Sequence, residues 1–218
     1  MTGLHFAPLA FFASLAAVAL LLMVACGGGL KTITKDGYRA ILSFSETERF
    51  PIAVRGEWQR VEASVGGVRG GPQLVKIMRP DLKKIWQFLP ATKRLFESPW
   101  QPTDEIVPGY PLGPRFDPQA YADRFGGQIR KIADAAHGLH PCDRWEMRLP
   151  SGDAVTIWVA RDLEGLAVRI EHMKKDRNDE YQPFQSTELL DVRTGADEKL
   201  FQKPTGYQEV KSYEGLLQ

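Results

Sequence analysis

The chain has 218 residues, with 28 Lys and Arg against 27 Asp and Glu, for a formal charge of +1. This near-neutral balance, with the charges interspersed and no basic block, lacks the electrostatic footprint of a nucleic-acid binder. Two cysteines exclude a disulfide-rich scaffold, and 43% hydrophobic residues supply a sizeable core for one domain.

The N-terminal segment is uncharged through Cys26, apart from His5, and runs apolar from Leu9 to Val24 with Ser14 as the one interruption. A membrane span needs about 20 apolar residues, whereas this length and position match the core of an export signal. The residues Leu22-Met23-Val24-Ala25-Cys26 resemble the lipobox of bacterial lipoproteins, with Met23 standing where Leu is usual. That resemblance implies removal of residues 1–25 and attachment of palmitate-type acyl groups to Cys26. Two or more buried chains hold a protein stably on a bilayer. An uncleaved anchor helix is the alternative, and it too leaves the chain exported and tethered. Gly27-Gly28-Gly29 has no side chains to pack, so residues 26–35 read as a flexible tether. Gly27 replaces the Asp common in lipoproteins of the inner membrane, which implies a periplasm-facing anchor in the outer membrane. Acylation of Cys26 leaves Cys142 without an intramolecular partner, and a buried, inert thiol is expected there.

Residues 36–212 read as one domain of short strands punctuated by turns. Alternation predicts strands over Tyr38–Phe44, Ala53–Val65, Gln73–Arg79, Lys83–Leu89 and Arg94–Glu97. Glycines at 66, 67, 70 and 71 supply the positive φ of a hairpin loop. Pro80-Asp81 and Pro90-Ala91-Thr92 are tight turns. Such meander connections make the sheet antiparallel. Six prolines between Ser98 and Pro118 rule out a central strand. That stretch reads as one long loop, either a lid or an external strap. Pro118–Gly126 follows as a short helix, with Asp117 as its N-cap and Pro118 in the first turn. Strands resume over Gln128–Ala133, Cys142–Leu149, Ala154–Ala160, Ala167–Met173 and Gln185–Val192. The expected fold is mainly β: a curved antiparallel sheet forming an open half-barrel of about ten to eleven strands, with one or two short helices.

Four stretches, in order, are similar to the LolA-like and LolB-like periplasmic proteins, including their lipidated members. They are Ile77-Met78-Arg79-Pro80-Asp81 leading to Ile85-Trp86-Gln87-Phe88-Leu89-Pro90, then His140-Pro141-Cys142-Asp143-Arg144-Trp145, then Thr156-Ile157-Trp158-Val159-Ala160 with Gly165-Leu166-Ala167, and finally Leu200-Phe201 through Pro204-Thr205-Gly206-Tyr207. The resemblance implies an open barrel around an apolar cavity partly plugged by a helix. It further implies handling of lipids or lipoprotein acyl chains at the envelope. The chain departs from the pattern in showing no clear helix before Tyr38.

Catalytic motifs are missing. Neither Gly-x-Ser-x-Gly nor His-Glu-x-x-His occurs, and the glycine-rich stretch runs into a strand rather than a helix. His137, His140 and Cys142 are too few and too scattered to read as a metal site. No enzyme activity, metal or cofactor is therefore expected. Trp58, Met78, Trp86, Phe88 and Trp158 alternate on strands so that one apolar face gathers them, the candidate wall of a lipid or acyl-chain cavity. The alternative function is docking of another envelope protein, by a sheet edge or by the proline-rich loop.

Overall fold

The computed structural model describes residues 32–44, 48–65 and 70–218. Cys26, the apolar run, residues 27–31 of the expected tether and most of the glycine-rich loop lie outside the described residues, whereas residues 32–35, expected as flexible tether, are ordered into the domain with Ile33 buried. Among the described residues, no helix is long and apolar enough to cross a membrane.

A four-residue helix, α1 (Ile33–Asp36), precedes the first strand, where no helix was expected. It is too short to show a helical period. It is set by the Thr32 side chain, which accepts from Lys35 N, and by burial of Ile33. Gly37 ends it at φ +73 and turns the chain into β1 (Tyr38–Ser43). The first wing continues with β2 (Arg49–Arg55), β3 (Trp58–Ser64), β4 (Gln73–Arg79), β5 (Lys84–Leu89) and β6 (Arg94–Pro99). After the proline-rich segment, α2 (Pro118–Phe125) leads to β7 (Gln128–His137), β8 (His140–Arg148), β9 (Ala154–Ala160), β10 (Leu166–Lys175) and β11 (Tyr181–Thr194). A 3-10 turn (Glu198–Phe201), β12 (Gln208–Val210) and α3 (Tyr213–Leu217) close the chain.

Among the described residues, all twelve strands belong to one curved sheet, ordered β12-β6-β5-β4-β3-β2-β1-β11-β10-β9-β8-β7 and not closed into a barrel. Each half is a meander, and the halves join where β1 pairs with β11. Only β12 runs parallel to its neighbour, β6. The strand total exceeds expectation for two reasons. The expected strand Ala53–Val65 is two strands, because Gly56 at φ +57 turns the chain so that Arg55 pairs with Trp58. The C-terminal tail then adds β12, too short to register as an alternating pattern.

Helix α2 forms as read from sequence. The Asp117 carboxylate accepts from Ala120 N, Pro118 sits in the first turn, and Gly126 closes the helix in the left-handed region. The proline-rich segment is neither a lid over solvent nor an external strap. Ile106, Val107, Tyr110, Leu112 and Phe116 are all buried in the main core. They cover one face of the sheet, here termed inner. Tyr hydroxyls fasten the segment: Tyr38 Oη donates to Leu112 O (3.0 Å), Tyr110 Oη to Ala167 O (2.8 Å) and Tyr121 Oη to Gly109 O (2.9 Å).

A second cluster packs on the opposite face of the first wing, around Val75, Ile77, Trp86, Phe88, Leu95 and Phe201. Residues 196–201 cross that face and are held by one arginine from each of three adjacent strands. Arg55 donates to Ala196 O (3.0 Å), Arg60 to Leu200 O (3.1 Å) and Arg79 to Phe201 O (3.1 Å).

Candidate functional site

The five aromatic and methionine candidates do not share one face. Cross-strand register is the reason: Ile77 pairs with Trp86 and Val75 with Phe88, while Met78 pairs with Ile85. Successive residues alternate sides, so Met78 falls on the inner face and Trp86 and Phe88 on the outer. Trp86 is closed off there, with its indole N–H donating to Glu97 Oε2 (2.9 Å). Phe88 meets the edge of Tyr207, with ring centroids 5.3 Å apart. Trp58 packs against Phe201 on the same outer side, and the Arg79 guanidinium lies 4.0 Å from its ring centroid. Trp158, on β9, is half-buried at the main core, with the Arg169 guanidinium 5.2 Å from its ring centroid. The one-face expectation is therefore corrected. Of the five, Met78 lines a cavity on the inner face.

Two cavities lie between that face and the proline-rich segment. One, of about 370 Å³, is walled by Met78, Pro80, Trp100 and Pro114. The other, of about 520 Å³, is walled by Thr103, Glu105, Tyr110, Leu112 and Arg124. They share Gln59, Asp104 and Gly113. The first is mostly apolar, with Glu57 and Asp104 on its wall, and the second is mixed, with somewhat more polar than apolar surface. Sequence reasoning missed Gln59, Trp100 and Asp104. The available signal was the proline cluster itself, which marked the segment without saying which face it would cover. A third hollow, of about 350 Å³ on the outer face, is walled by Arg39, Arg60, Glu62, Asp191 and Arg193. Those charged groups stand beside Ile41, Pro51 and Leu200, and burying an apolar chain among them would desolvate them.

Charges cluster at the mixed cavity. The Arg124 guanidinium pairs with the Glu105 carboxylate, which also accepts from Gly109 N at 2.9 Å. Burial works against ionisation of Glu105, but these two donors outweigh it and hold its carboxyl below the usual range. Lys76 reaches from β4 to Glu105 O at 3.4 Å. Burial lowers its ammonium pKa, and the Asp104 charge opposes that fall.

The histidine and cysteine candidates go separate ways. His137 Nε2 faces Glu188 (3.4 Å), His140 Nδ1 faces Asp162 (2.8 Å), and Cys142 Sγ contacts His140 O (3.4 Å). Cys142 is buried, and burial pushes its thiol pKa up, the opposite of an activated nucleophile.

The arrangement defines a class: an open, mostly antiparallel β half-barrel whose inner face is filled by one of its own connecting segments. No protein-family model matches the chain, and no curated protein matches it. Among solved structures, an uncharacterized conserved protein from Thermus thermophilus matches with a TM-score of 0.52 at 13% identity, over 90% of this chain and 99% of that one. The two share a fold. MucB matches over 90% of this chain and 66% of its own, at 13% identity and a TM-score of 0.41. A LolA superfamily protein from Nitrosomonas europaea matches over 76% of this chain and 88% of its own, at 10% identity and a TM-score of 0.30. The last two likenesses are too distant to carry an argument.

Proposed function

We propose that this chain is an envelope lipoprotein that binds a lipid or acyl chain on the inner face of its half-barrel and releases it unchanged. Acyl groups on Cys26 would anchor it, most simply in the outer membrane with the domain facing the periplasm. The observation that carries the reading is the apolar cavity at Met78, Pro80, Trp100 and Pro114 beneath a connecting segment rather than beneath sheet. A connecting segment can shift without breaking strand pairing, so the cavity can enlarge toward a full chain. Each Å² of apolar surface removed from water contributes about 25 cal/mol, which drives such binding without any catalytic group. The lipobox resemblance and the LolA-like order of motifs support the same reading.

Docking of another envelope protein is the second reading, favoured by β7, a ten-residue strand paired on one side only among the described residues. That strand carries Arg130, Lys131 and a register irregularity between Lys131 and Ala133, features that discourage edge pairing.

The test is titration of the full chain, stripped of bound lipid, with a fluorescent fatty acid. Saturable binding that Met78→Lys abolishes is the expected result. Non-saturable uptake would end the carrier reading. Mass spectrometry of the protein extracted from membranes tests the anchor, and an unmodified thiol at Cys26 would overturn it.

A further inference from the structure

One end of the sheet gathers the start of β1, two exposed leucines and part of the mostly apolar cavity. Tyr38, the first residue of β1, pairs there with Val54 near the end of β2 and with Thr194 at the end of β11. Just before it, Thr34 N donates to Glu164 Oε2 (2.9 Å) in the turn from β9 to β10. The same turn carries Asp162, which meets His140 Nδ1 (2.8 Å) at the start of β8. Leu139 is the adjacent residue and is 97% exposed. It takes the second place of a two-residue hairpin loop, after Gly138 at φ +57. Nothing in the fold rests on its side chain, and a polar residue would serve the turn equally well. On the first wing, Arg79 pairs with Lys84 at this same end, and the turn between them holds Leu82, 46% exposed. Two turns at this end, Gly56-Glu57 and Pro80, wall the mostly apolar cavity. The other exposed large apolar side chains of the described residues lie toward the opposite end. Phe184 sits under the Lys174 ammonium early in β11, and Tyr213 and Leu217 sit on α3, where Gly215 O accepts from Arg94.

We propose that this end of the domain docks on a bilayer, with Leu139 of the second wing and Leu82 of the first entering its interfacial layer. This rests on the acyl-anchor reading above and adds the orientation of the domain and the source of its ligand. Cys26 precedes Thr32 by six residues, which reach at most about 22 Å when extended. The nine residues of β8 alone span about 30 Å. An anchor at Cys26 therefore keeps the Leu139 end, and not the opposite one, within reach of the membrane. Tethering also raises the effective concentration of both leucines at the surface. Each turn here carries both signs, Arg55 with Glu57, Asp81 with Lys83 and Arg161 with Asp162, so the attraction is apolar rather than electrostatic. The cavity, at Pro80 in the same turn as Leu82, then borders the layer that Leu82 enters. An acyl chain can pass between bilayer and cavity with little exposure to water.

The experiment uses the full chain extracted from membranes and inserted in phosphatidylcholine vesicles that contain nitroxide-bearing lipid. Leu139→Cys, Leu82→Cys and, on a hairpin at the opposite end, Ser151→Cys each take one environment-sensitive fluorophore. Cys142 is buried, and acylation blocks Cys26. Emission from the two leucine positions is expected to shift to the blue and to be quenched by the nitroxide, with no change at the Ser151 position. Neither salt nor added phosphatidylglycerol should alter this. In a Leu82→Lys, Leu139→Lys double variant, uptake of a fluorescent fatty acid from the vesicles should slow about tenfold, roughly what burial of one leucine is worth. Unchanged uptake would overturn the bilayer as the source. On a chain that floats with the vesicles, an unquenched label at either leucine, or equal quenching at the Ser151 position, would overturn the orientation and leave the anchor and acyl binding intact. A parent chain that takes up label at Cys26, or that does not float with the vesicles, would instead remove the anchor reading and this orientation with it.

Discussion

His137 Nε2 lies 3.4 Å from Glu188 Oε2, although three strands separate β7 from β11 in the sheet. The second wing therefore folds back over its own face and brings the end of one edge strand onto the strand beside the seam. His137 arrives there half-buried. Arg169 and Glu171 also act on it, and Glu188 and Glu171 oppose the effects of Arg169 and His140.

Acid should loosen this wing. Burial lowers the His137 pKa below its ordinary 6.5, and burial does the same for His172 on β10. The unfolded chain then takes up protons before the folded one does. Stability is full above about pH 6.5 and falls as pH drops toward the lowered folded values. Urea unfolding at about pH 7 and pH 5 should show a smaller loss in a His137→Gln, His172→Gln double variant than in the parent. Equal losses in the two proteins would refute the assignment.

Glu97 loses its contribution in the same direction, in a lower pH window. The Lys84 ammonium (2.7 Å), helped by Trp86 Nε1 and Lys203, holds its carboxyl down at about 2. The stability it confers is complete above its ordinary value of 4.5 and is lost as pH falls toward 2. Glu97→Gln should cost about 1–2 kcal/mol near neutral pH, allowing for solvent screening at a partly exposed group. The cost should shrink at about pH 3. A cost independent of pH would show that shape rather than charge is at stake.

The proline-rich segment should be the part of the molecule that yields. Tyr110→Phe removes a buried hydroxyl bond to Ala167 O and should cost about 1 kcal/mol. If ligand entry displaces the segment, the same change should tighten fatty-acid binding by up to about fivefold. Hydrogen exchange at residues 104–112 should rise in the variant and rise again on ligand binding. Unchanged protection in both would mean that the segment is a fixed part of the core.

The outer face depends on Phe201, which is fully buried and packs against Trp58 with ring centroids 5.9 Å apart. Phe201→Ala should cost about 3–5 kcal/mol, the range for emptying an aromatic core site. Gly37→Ala should be comparably damaging, because a Cβ there would stand 2.1 Å from Val54 O at a φ of +73. Thermal unfolding checks both. A small effect at Gly37 would mean that the α1 turn relaxes without strain.

Local signals in the sequence determined most of the elements. Alternation located most strands to within a few residues, although it ran β2 and β3 together, Pro80-Asp81 placed a turn, and Asp117 with Pro118 started a helix, because each acts through bonds or steric limits within a few residues of itself. The same locality hid α1, with four residues, and β12, with three, because neither is long enough to repeat its pattern twice. What tertiary structure decided was which side each strand residue faces. Alternation separates Met78 from Ile77 but does not say which of them joins Trp86; the pairing of Ile77 with Trp86 across β4 and β5 does. Six prolines announced a segment outside the sheet, yet its burial between the wings, with Tyr38 and Tyr110 fastening it, depends on contacts spanning as many as 74 residues of sequence. Such contacts exist only once the chain has folded, and the candidate site is made almost wholly of them.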